Sequence, residues 1–325
     1  MKPSVLVANK GSGSWDPELW AERIRPLLTG RTVLTTNSKG IYEGPEPPLR
    51  DVHYALVWKP KQETLDRLPA LRAIFSLGAG VDHIFALPRL PAVPIARIVD
   101  RDLTMRMTEY VVWQVLDQLR RGPAYRRLQR ERRWDELEQP AAGHVTVGLM
   151  GLGVMGADAA EVLLRLGFSV RGWSRTKKLV PGVETFAGSA ELEAFLSGTD
   201  ILVSLLPLTP ETRNFVDINL LKKLRRSGPL GGPVLINAGR GGSQVEADVA
   251  KVLNDGTLVG AGLDVFQAEP LPADSPLWSF DNLTITPHVA GVSDAQALVR
   301  QIAEQIESYE RGEPLRNCVE RERGY

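Results

Sequence analysis

Short apolar runs along the chain alternate with longer segments in which apolar residues recur every three or four positions. Such runs are typical of buried strands and such spacing is typical of helices, so the sequence predicts an α/β fold with parallel sheets. In the first hundred residues, strands are predicted at 5–8, 32–35, 54–58 and 73–77. A helix is predicted to begin after Asp16, its N-cap, and to reach about Leu28. Residues 41–50, which are rich in glycine and proline, are predicted to form a loop.

A second series of strands follows a long helix that is predicted from about residue 103 to residue 121. Apolar residues repeat at helical spacing along this helix, at Met107, Val111, Val115 and Leu119. The later strands are predicted at 145–149, 168–173, 201–206, 234–237, 259–264 and 284–286, and a last helix at 294–309. The expected architecture is two Rossmann-like parallel-sheet domains with a cleft between them, because ligands of such sheets bind beyond the carboxyl ends of the strands.

Composition and charge restrict the class of protein. The 325 residues are enough for two domains, and 39 basic residues balance 39 acidic ones. No nucleic-acid partner is indicated, since the arginine-rich stretch 120–133 runs at once into acidic residues and favours a solvated or subunit-facing helix. Cys318 is the only cysteine, which excludes an intrachain disulfide and a Cys-rich metal site, and no metal is predicted. Without a signal peptide or an apolar run near the ~18 residues of a membrane helix, the expected location is the cytoplasm, with no membrane partner.

A glycine-rich loop lies between one of the later predicted strands and a helical segment. Its Gly-x-Gly-x-x-Gly spacing permits a tight turn, close approach of the backbone to a pyrophosphate, and close packing of the helix on the strand. The N–H groups at the start of the helix would face the phosphates. The loop residues predicted to bind a dinucleotide are Gly151, Leu152, Gly153, Val154, Met155 and Gly156.

The strand after this helix ends without the acid that usually binds the ribose 2′-hydroxyl of NAD. Ser174, Arg175 and Thr176 stand there instead, followed by two lysines. Hydroxyls and a guanidinium suit a 2′-phosphate, which an acid would repel. The sequence therefore predicts NADP(H) as the cofactor. The alternative is a solvated basic turn.

Three segments after the glycine loop place a reactive side chain close to the end of a predicted strand. Arg240, between glycines, is suited to holding a carboxylate through two parallel hydrogen bonds. His288, in a Pro/Gly turn, is suited to acid/base work, and Glu269 is the candidate partner that orients it. Together these groups suit reversible hydride transfer to a 2-keto acid. Singly, Arg240 is also consistent with a surface arginine and His288 with a structural histidine.

The substrate is expected to meet a second glycine-rich turn, formed by Leu77, Gly78, Ala79 and Gly80, in which successive N–H groups can bind an anion. A plain strand-to-helix turn is the alternative. Trp58 ends a neighbouring strand and is predicted to wall the pocket, although a core tryptophan fits equally well. Asp264 is predicted to contact the nicotinamide part of the cofactor, or else to cap a turn.

Several motifs, in their order along the chain, resemble those of the D-isomer-specific 2-hydroxyacid dehydrogenases. They are Leu-Gly-Ala-Gly-Val-Asp (77–82), the glycine loop (151–156), Asn-Ala-Gly-Arg-Gly (237–241), Leu-Asp-Val-Phe…Glu-Pro (263–270) and Thr-Pro-His-Val-Ala (286–290). Further stretches resemble the bacterial glyoxylate/hydroxypyruvate reductase A group of that family. Among them are Tyr-Ala-Leu-Val-Trp (54–58), Trp-Ser-Arg-Thr-Lys-Lys (173–178) and the terminal Arg-Gly-Tyr (323–325).

The resemblance implies a discontinuous substrate-binding domain, residues 1–102 and 292–325, and an NADP(H)-binding Rossmann domain, residues 103–291, that includes the long linking helix. It also implies a homodimer, and it places the catalytic roles on Arg240, Glu269 and His288. Further residues predicted to line the cofactor site are Trp173, Leu206, Pro207, Ala238 and Gly239.

The predicted activity is NADPH-dependent reduction of glyoxylate and hydroxypyruvate to glycolate and D-glycerate, with His288 as proton donor. Two alternatives stay open. One is a dehydrogenase for another D-2-hydroxy acid. The other is a non-enzymatic, cofactor-sensing binding protein of the same fold.

Overall fold

The structure, a computed structural model, describes residues 2–11, 15–292 and 294–324. Tyr325, the last residue of the Arg-Gly-Tyr motif, lies outside the described residues. The chain divides into two compact units. Unit 1 comprises Met1–Asp102 and Ser293–Tyr325, and unit 2 comprises Leu103–Val292.

The elements of the first hundred residues build most of unit 1. In chain order they are β1 (Ser4–Asn9), α1 (Pro17–Ile24), β2 (Val33–Thr35), α2 (Glu46–Arg50), β3 (Val52–Trp58), α3 (Gln62–Leu65), β4 (Ala73–Ser76), α4 (Asp82–Phe85) and β5 (Ile95–Ala96). Within the described residues these strands form a five-stranded parallel sheet of order β2-β1-β3-β4-β5. This is one of the two common doubly wound orders, and its direction reverses between β1 and β3.

Unit 2 begins with the long helix α5 (Arg101–Leu119), whose first two residues belong to unit 1. The elements that follow are α6 (Gly122–Arg130), β6 (Thr146–Met150), α7 (Val154–Arg165), β7 (Ser169–Ser174), β8 (Glu184–Ala187), α8 (Leu192–Ser197), β9 (Ile201–Ser204), α9 (Ile218–Leu221), β10 (Val234–Asn237), α10 (Glu246–Asn254), β11 (Gly260–Leu263) and β12 (Leu283–Ile285). The last helix of the chain, α11 (Ala295–Glu310), returns to unit 1.

The sheet of unit 2, over the part of the chain that is described, has seven parallel strands in the order β12-β11-β10-β9-β6-β7-β8. Counted from β6, this is the 3-2-1-4-5-6 order of dinucleotide-binding sheets with a seventh strand added at one edge. The prediction of two parallel-sheet α/β units is therefore confirmed.

Apolar side chains cover both faces of the larger sheet. One layer joins α5 and α7 to the sheet through residues such as Val111, Leu163 and Val147. The other joins the opposite face to α8, α9 and α10 through residues such as Phe195 and Val249. Strands that are buried on both faces read as continuous apolar runs, which is why the run patterns located them well.

Several predicted boundaries differ from the structure. The segment predicted as a loop over residues 41–50 ends in the short helix α2, because its prolines fall in the first turn, where backbone N–H groups have no intrahelical partner. The predicted helix after Asp16 continues beyond Ile24 only as a 3-10 turn, Arg25–Leu27, with Pro26 inside it. β5 and β8 escaped prediction, since β5 has only two residues and β8 begins with Glu184 and Thr185.

In the described ranges, no helix combines the length and the apolar character that crossing a membrane requires. The same residues contain no group of three or more His, Cys, Asp or Glu side chains arranged to hold a metal ion. Cys318 is an exposed free thiol.

Candidate active site

The carboxyl ends of four neighbouring strands of unit 2 lie side by side. Ser204 of β9 is in register with Asn237 of β10, and Asn237 with Leu263 of β11. Leu263 is in turn in register with Ile285 of β12. Because the strands are parallel, the segments that follow them emerge from one edge of the sheet. Arg240, Glu269 and His288 all belong to these segments.

His288 and Glu269 form a direct pair. Nδ1 of the imidazole lies 2.9 Å from Oε2 and 3.1 Å from Oε1 of the carboxylate. The Glu269 carboxylate also accepts a hydrogen bond from the backbone N–H of Phe266, at 3.2 Å. The side chains are 34% and 25% exposed, so a ligand can reach them. With Nδ1 held by the carboxylate, Nε2 is the ring nitrogen that can carry a proton to a ligand.

The histidine turn, residues 286–290, is held by Asp264. The Asp264 carboxylate is 1% exposed and accepts the N–H groups of Val289 and Ala290, at 2.8 and 2.9 Å. It also accepts the hydroxyl of Thr286, at 2.7 Å, while its backbone oxygen accepts the N–H of His288, at 2.8 Å. His288 has a φ of 56°, which is uncommon for a residue other than glycine. Asp264 therefore fixes the backbone that presents the imidazole.

Arg240 follows β10 in a turn that only glycines can form. A Cβ at position 239 would stand 2.7 Å from the oxygen of Leu206, and one at 241 would stand 2.0 Å from the backbone of Phe266. Arg240 is thus set between the loops that follow β9 and β11. Its Nη1 donates to the oxygen of Gly239, at 2.8 Å. The buried Asn237 anchors the turn by accepting the N–H of Gly239, at 3.0 Å.

The glycine loop has the shape that a dinucleotide phosphate requires. Gly151 has a φ of 111°, and a Cβ at Gly156 would stand 2.0 Å from the oxygen of Gly151, so helix α7 begins directly against the end of β6. A Cβ at Gly153, the N-cap of α7, would meet no atom within 4 Å. The loop is therefore closed towards the protein and open at the helix N-terminus, where backbone N–H groups can bind phosphate. These residues fit the predicted cofactor.

The segment after β7 is exposed and contains the residues that are predicted to bind the 2′-phosphate of NADP(H). Ser174 Oγ donates to the oxygen of Thr176, at 2.8 Å, and Arg175 and Thr176 are exposed. Glu211, in the loop after β9, has its pKa lowered chiefly by a hydrogen bond from Thr209 and in smaller part by Arg175. Arg175 is thus within electrostatic reach of that loop.

The remaining predicted cofactor residues differ in what they can offer. The side chain of Leu152 is buried against Gly172, so only its backbone can meet a ligand, whereas Val154 is 54% exposed. Trp173 is 8% exposed, donates from Nε1 to the oxygen of Gly188 and stacks on Phe215. Met155 packs on the core. Three more residues lie just after strands and are largely or partly buried: Leu206, Pro207 and Ala238.

In unit 1 the predicted substrate turn, residues 77–80, which we term the glycine turn, follows β4. Ser76 Oγ, at the end of β4, lies 2.9 Å from the oxygen of Gly78 and 3.1 Å from that of Gly80. This hydroxyl draws the carbonyl groups inward. Among the described residues, the amides of Ala79 and Gly80 donate to no protein acceptor. Successive amides of this kind can bind an anion, and that role of the glycine turn stays a prediction.

Trp58, at the end of β3, packs against this turn. A Cβ at Gly78 would stand 2.4 Å from Cζ3 of the indole, so glycine is needed for the two to touch. Trp15 stacks on Trp58 with ring centroids 4.4 Å apart, and His83 meets the indole edge-on at 4.6 Å. The sequence did not single out Ser76, His83 or Trp15. The only signal was that each lies next to a glycine-rich turn or at the end of a strand.

A Gly-x-Gly-x-x-Gly loop, a doubly wound sheet and a His–Glu pair at its carboxyl edge define a nicotinamide-dependent dehydrogenase. The chain belongs to the D-isomer-specific 2-hydroxyacid dehydrogenase family: residues 112–290 match the family's NAD-binding domain. The predicted family and the predicted class of enzyme are both confirmed.

Relatives over the full length carry more specific names. A glyoxylate/hydroxypyruvate reductase A of Klebsiella pneumoniae (strain 342) is 42% identical over 96% of this chain and 97% of its own. A probable 2-hydroxyacid dehydrogenase from Rhizobium etli, solved with NADP, HEPES and L(+)-tartaric acid, is 48% identical with a TM-score of 0.92. An NADPH-dependent glyoxylate/hydroxypyruvate reductase from Sinorhizobium meliloti, solved with NADP and sulfate, is 46% identical with a TM-score of 0.92. Each of these two structures covers all of this chain and is itself covered in full.

Proposed function

We propose that this protein reduces glyoxylate and hydroxypyruvate with NADPH, giving glycolate and D-glycerate. The observation that carries the proposal is the His288–Glu269 pair at the carboxyl edge of a sheet whose glycine loop suits a dinucleotide. The names and bound nucleotides of the relatives support the substrate class and the cofactor.

NADPH supplies the hydride when it is bound. His288, with Nδ1 directed at Glu269, holds its other proton on Nε2 and delivers it to the oxygen that becomes the alcohol. Glu269 keeps the ring oriented and stabilises the protonated imidazole. Arg240 binds the substrate carboxylate with its planar guanidinium. The glycine turn and Trp58 contribute to binding of the acid.

The cofactor side of the proposal rests on Ser174, Arg175 and Thr176, which would bind the 2′-phosphate. Leu152, Val154, Met155, Trp173, Leu206, Pro207, Ala238 and Gly239 are proposed to line the rest of the cofactor site. Asp264 is proposed to act there mainly by holding the histidine turn. A homodimer in the cytoplasm is part of the same proposal.

A spectrophotometric assay of the purified protein at about 340 nm, where reduced nicotinamide absorbs, tests the proposal. Glyoxylate and hydroxypyruvate should each support faster NADPH oxidation than pyruvate or 2-ketogluconate. Activity with 2-ketogluconate alone would favour a dehydrogenase for another hydroxy acid. NADPH binding with no turnover of any of the four acids would favour a cofactor-sensing protein.

Reversing the charge at Arg175 tests the choice of cofactor. Arg175→Glu should raise the KM for NADPH by at least about tenfold, because a carboxylate repels the 2′-phosphate that the guanidinium attracts. The KM for NADH should change little. Lys178→Glu, a charge reversal three residues further along the same exposed segment, serves as the control for general charge effects. Equal losses with both nucleotides would contradict the assignment of Arg175.

A further inference from the structure

A chain of hydrogen bonds runs from helix α5 to the histidine turn. Gln114 Nε2 donates to the phenol oxygen of Tyr110, at 3.3 Å, and that oxygen lies 2.8 Å from Thr286 Oγ1. Thr286 donates its own proton to Asp264 Oδ1, at 2.7 Å. The phenol proton is therefore directed at Thr286 Oγ1, and every proton in the chain points towards the Asp264 carboxylate.

Three members of this chain are buried in unit 2, and Thr286 is partly buried. Gln114 is 0% exposed, Tyr110 8% and Asp264 1%. Burial strengthens such hydrogen bonds and makes an unpaired member unfavourable. Burial also raises the pKa of Tyr110 above its ordinary range, which disfavours ionisation of the phenol still further.

Two glycines of β11 bring α5 close enough for this contact. A Cβ at Gly262 would stand 2.3 Å from Gln114 Oε1, and a Cβ at Gly260 would stand 2.5 Å from Gln118 Oε1. The helix therefore rests directly on the backbone of β11. From there Tyr110 reaches Thr286, which directly follows the neighbouring strand β12. Trp113 packs edge-on against the Tyr110 ring, with centroids 5.5 Å apart.

We propose that Tyr110 and Thr286 are positioning residues for His288, acting through Asp264. Asp264 accepts the N–H of His288 with its backbone oxygen and those of Val289 and Ala290 with its carboxylate, and so holds the turn that gives His288 its left-handed backbone. Such a conformation persists only where surrounding contacts maintain it. Thr286 donates to Oδ1 of the Asp264 carboxylate, the oxygen that also accepts the N–H of Val289, and Tyr110 in turn holds the Thr286 hydroxyl. This inference rests on the proposed function of His288 as proton donor.

Two substitutions remove one hydroxyl each and keep the shape of the side chain: Tyr110→Phe and Thr286→Val. Each should lower kcat about 3- to 10-fold, the size expected for one buried hydrogen bond. The KM for the keto acid and the Kd for NADPH, followed by nicotinamide fluorescence, should stay within about twofold, since the loss is confined to the transition state. The kcat of the double variant should be only slightly lower than that of the less active single variant, because both substitutions interrupt the same chain of hydrogen bonds.

Matched variants separate positioning from general damage. Thr286→Ser keeps the hydroxyl and should restore kcat. Tyr125→Phe removes another phenol of unit 2, bonded to Leu137 and Gln139, and should leave kcat unchanged. Wild-type kcat in both hydroxyl-free variants, or losses that multiply in the double variant, would overturn the proposal.

A spectroscopic readout makes the test independent of turnover. The ring ¹⁵N and ¹H resonances of His288, assigned by their disappearance in His288→Asn, should move in Tyr110→Phe and in Thr286→Val but not in Tyr125→Phe. Unmoved resonances would refute positioning even if activity fell. An inactive wild-type protein whose His288 resonances respond as expected would refute the proposed reaction and leave the positioning of His288 supported.

Discussion

The glycine turn of unit 1 and the histidine turn of unit 2 both follow a parallel strand, yet a hydroxyl holds the first and a carboxylate holds the second. In unit 1 a hydroxyl, Ser76, gathers carbonyl groups and leaves the amides of Ala79 and Gly80 unused within the described chain. In unit 2 a carboxylate, Asp264, gathers the amides of Val289 and Ala290. Within the described chain, the first turn therefore leaves two successive backbone donors without a protein acceptor, whereas the second uses its donors internally.

The difference indicates what each turn is built to do. A turn with spare N–H groups attracts a negative charge without moving a proton. A turn whose N–H groups are satisfied is rigid, and it offers an imidazole whose orientation is fixed by a second carboxylate, Glu269. We therefore expect damage to the histidine turn to lower kcat and damage to the glycine turn to raise KM. Variants of the two turns test this contrast.

The largest effect is expected from His288→Asn. Loss of the proton donor should reduce kcat by roughly 10²–10⁴, the usual contribution of an acid/base group. Binding of NADPH should be retained, because the glycine loop is untouched. Steady-state kinetics and a fluorescence titration of NADPH would measure the two quantities.

The matched change at its partner is Glu269→Gln, which keeps the shape and removes the charge. It should also act on kcat, but less than His288→Asn, because the imidazole remains present. If either variant raised the KM for the keto acid while leaving kcat at the wild-type level, the division of labour between the two turns would be wrong.

An effect of intermediate size is expected from Gly78→Ala. The added Cβ would stand 2.4 Å from the Trp58 ring, so the indole or the turn must move. We expect the KM for the keto acid to rise about tenfold, equivalent to ~1.4 kcal/mol, which is within the range for overpacking. The turnover number should change much less.

Gly143→Ala is the appropriate control for this substitution. A Cβ there would lie 3.5 Å from the nearest atom, the oxygen of Gly167, which is an ordinary contact. Its kinetics should match the wild type. A Gly78→Ala protein with unchanged KM and an unaltered Tm would remove the glycine turn from the substrate site.

The same two turns show how much of the candidate site can be predicted from the sequence. The glycine spacings and the strand-terminal positions of Arg240, Glu269 and His288 depend on local geometry, which short motifs record. The contacts that hold the turns do not depend on local geometry in this way, and short motifs do not record them. Tyr110 and Thr286 are 176 positions apart, and they meet only because β11 and β12 are neighbours and Gly262 admits α5. A linear pattern holds no record of that approach, so the sequence predicts Asp264 as a contact of the nicotinamide or as the cap of a turn and does not identify it as the anchor of the histidine turn.

The smallest effect is expected from substitution of His83, which contacts Ser76 and Trp58 beside the glycine turn. Its Nδ1 accepts the backbone N–H of Lys59, at 3.2 Å, so the neutral ring carries its proton on Nε2. Nε2 lies 3.4 Å from Ser76 Oγ, the atom that gathers the carbonyl groups of the turn. The imidazole also packs edge-on against the Trp58 ring. His83 thus connects the end of β3, where Lys59 has a φ of 50°, to the turn that follows β4.

His83→Ala should loosen both contacts and raise the KM for the keto acid about threefold, the lower end of the effect of a lost hydrogen bond. His83→Gln should recover much of the loss, because an amide offers an acceptor and a donor on the same side chain. Neither variant should change kcat by a comparable factor, since the histidine turn is intact in both. Steady-state kinetics over a range of keto-acid concentrations separates the two parameters. A fall in kcat at unchanged KM in His83→Ala would mean that the glycine turn takes part in the chemical step, and the contrast between the two turns would then be one of degree rather than of kind.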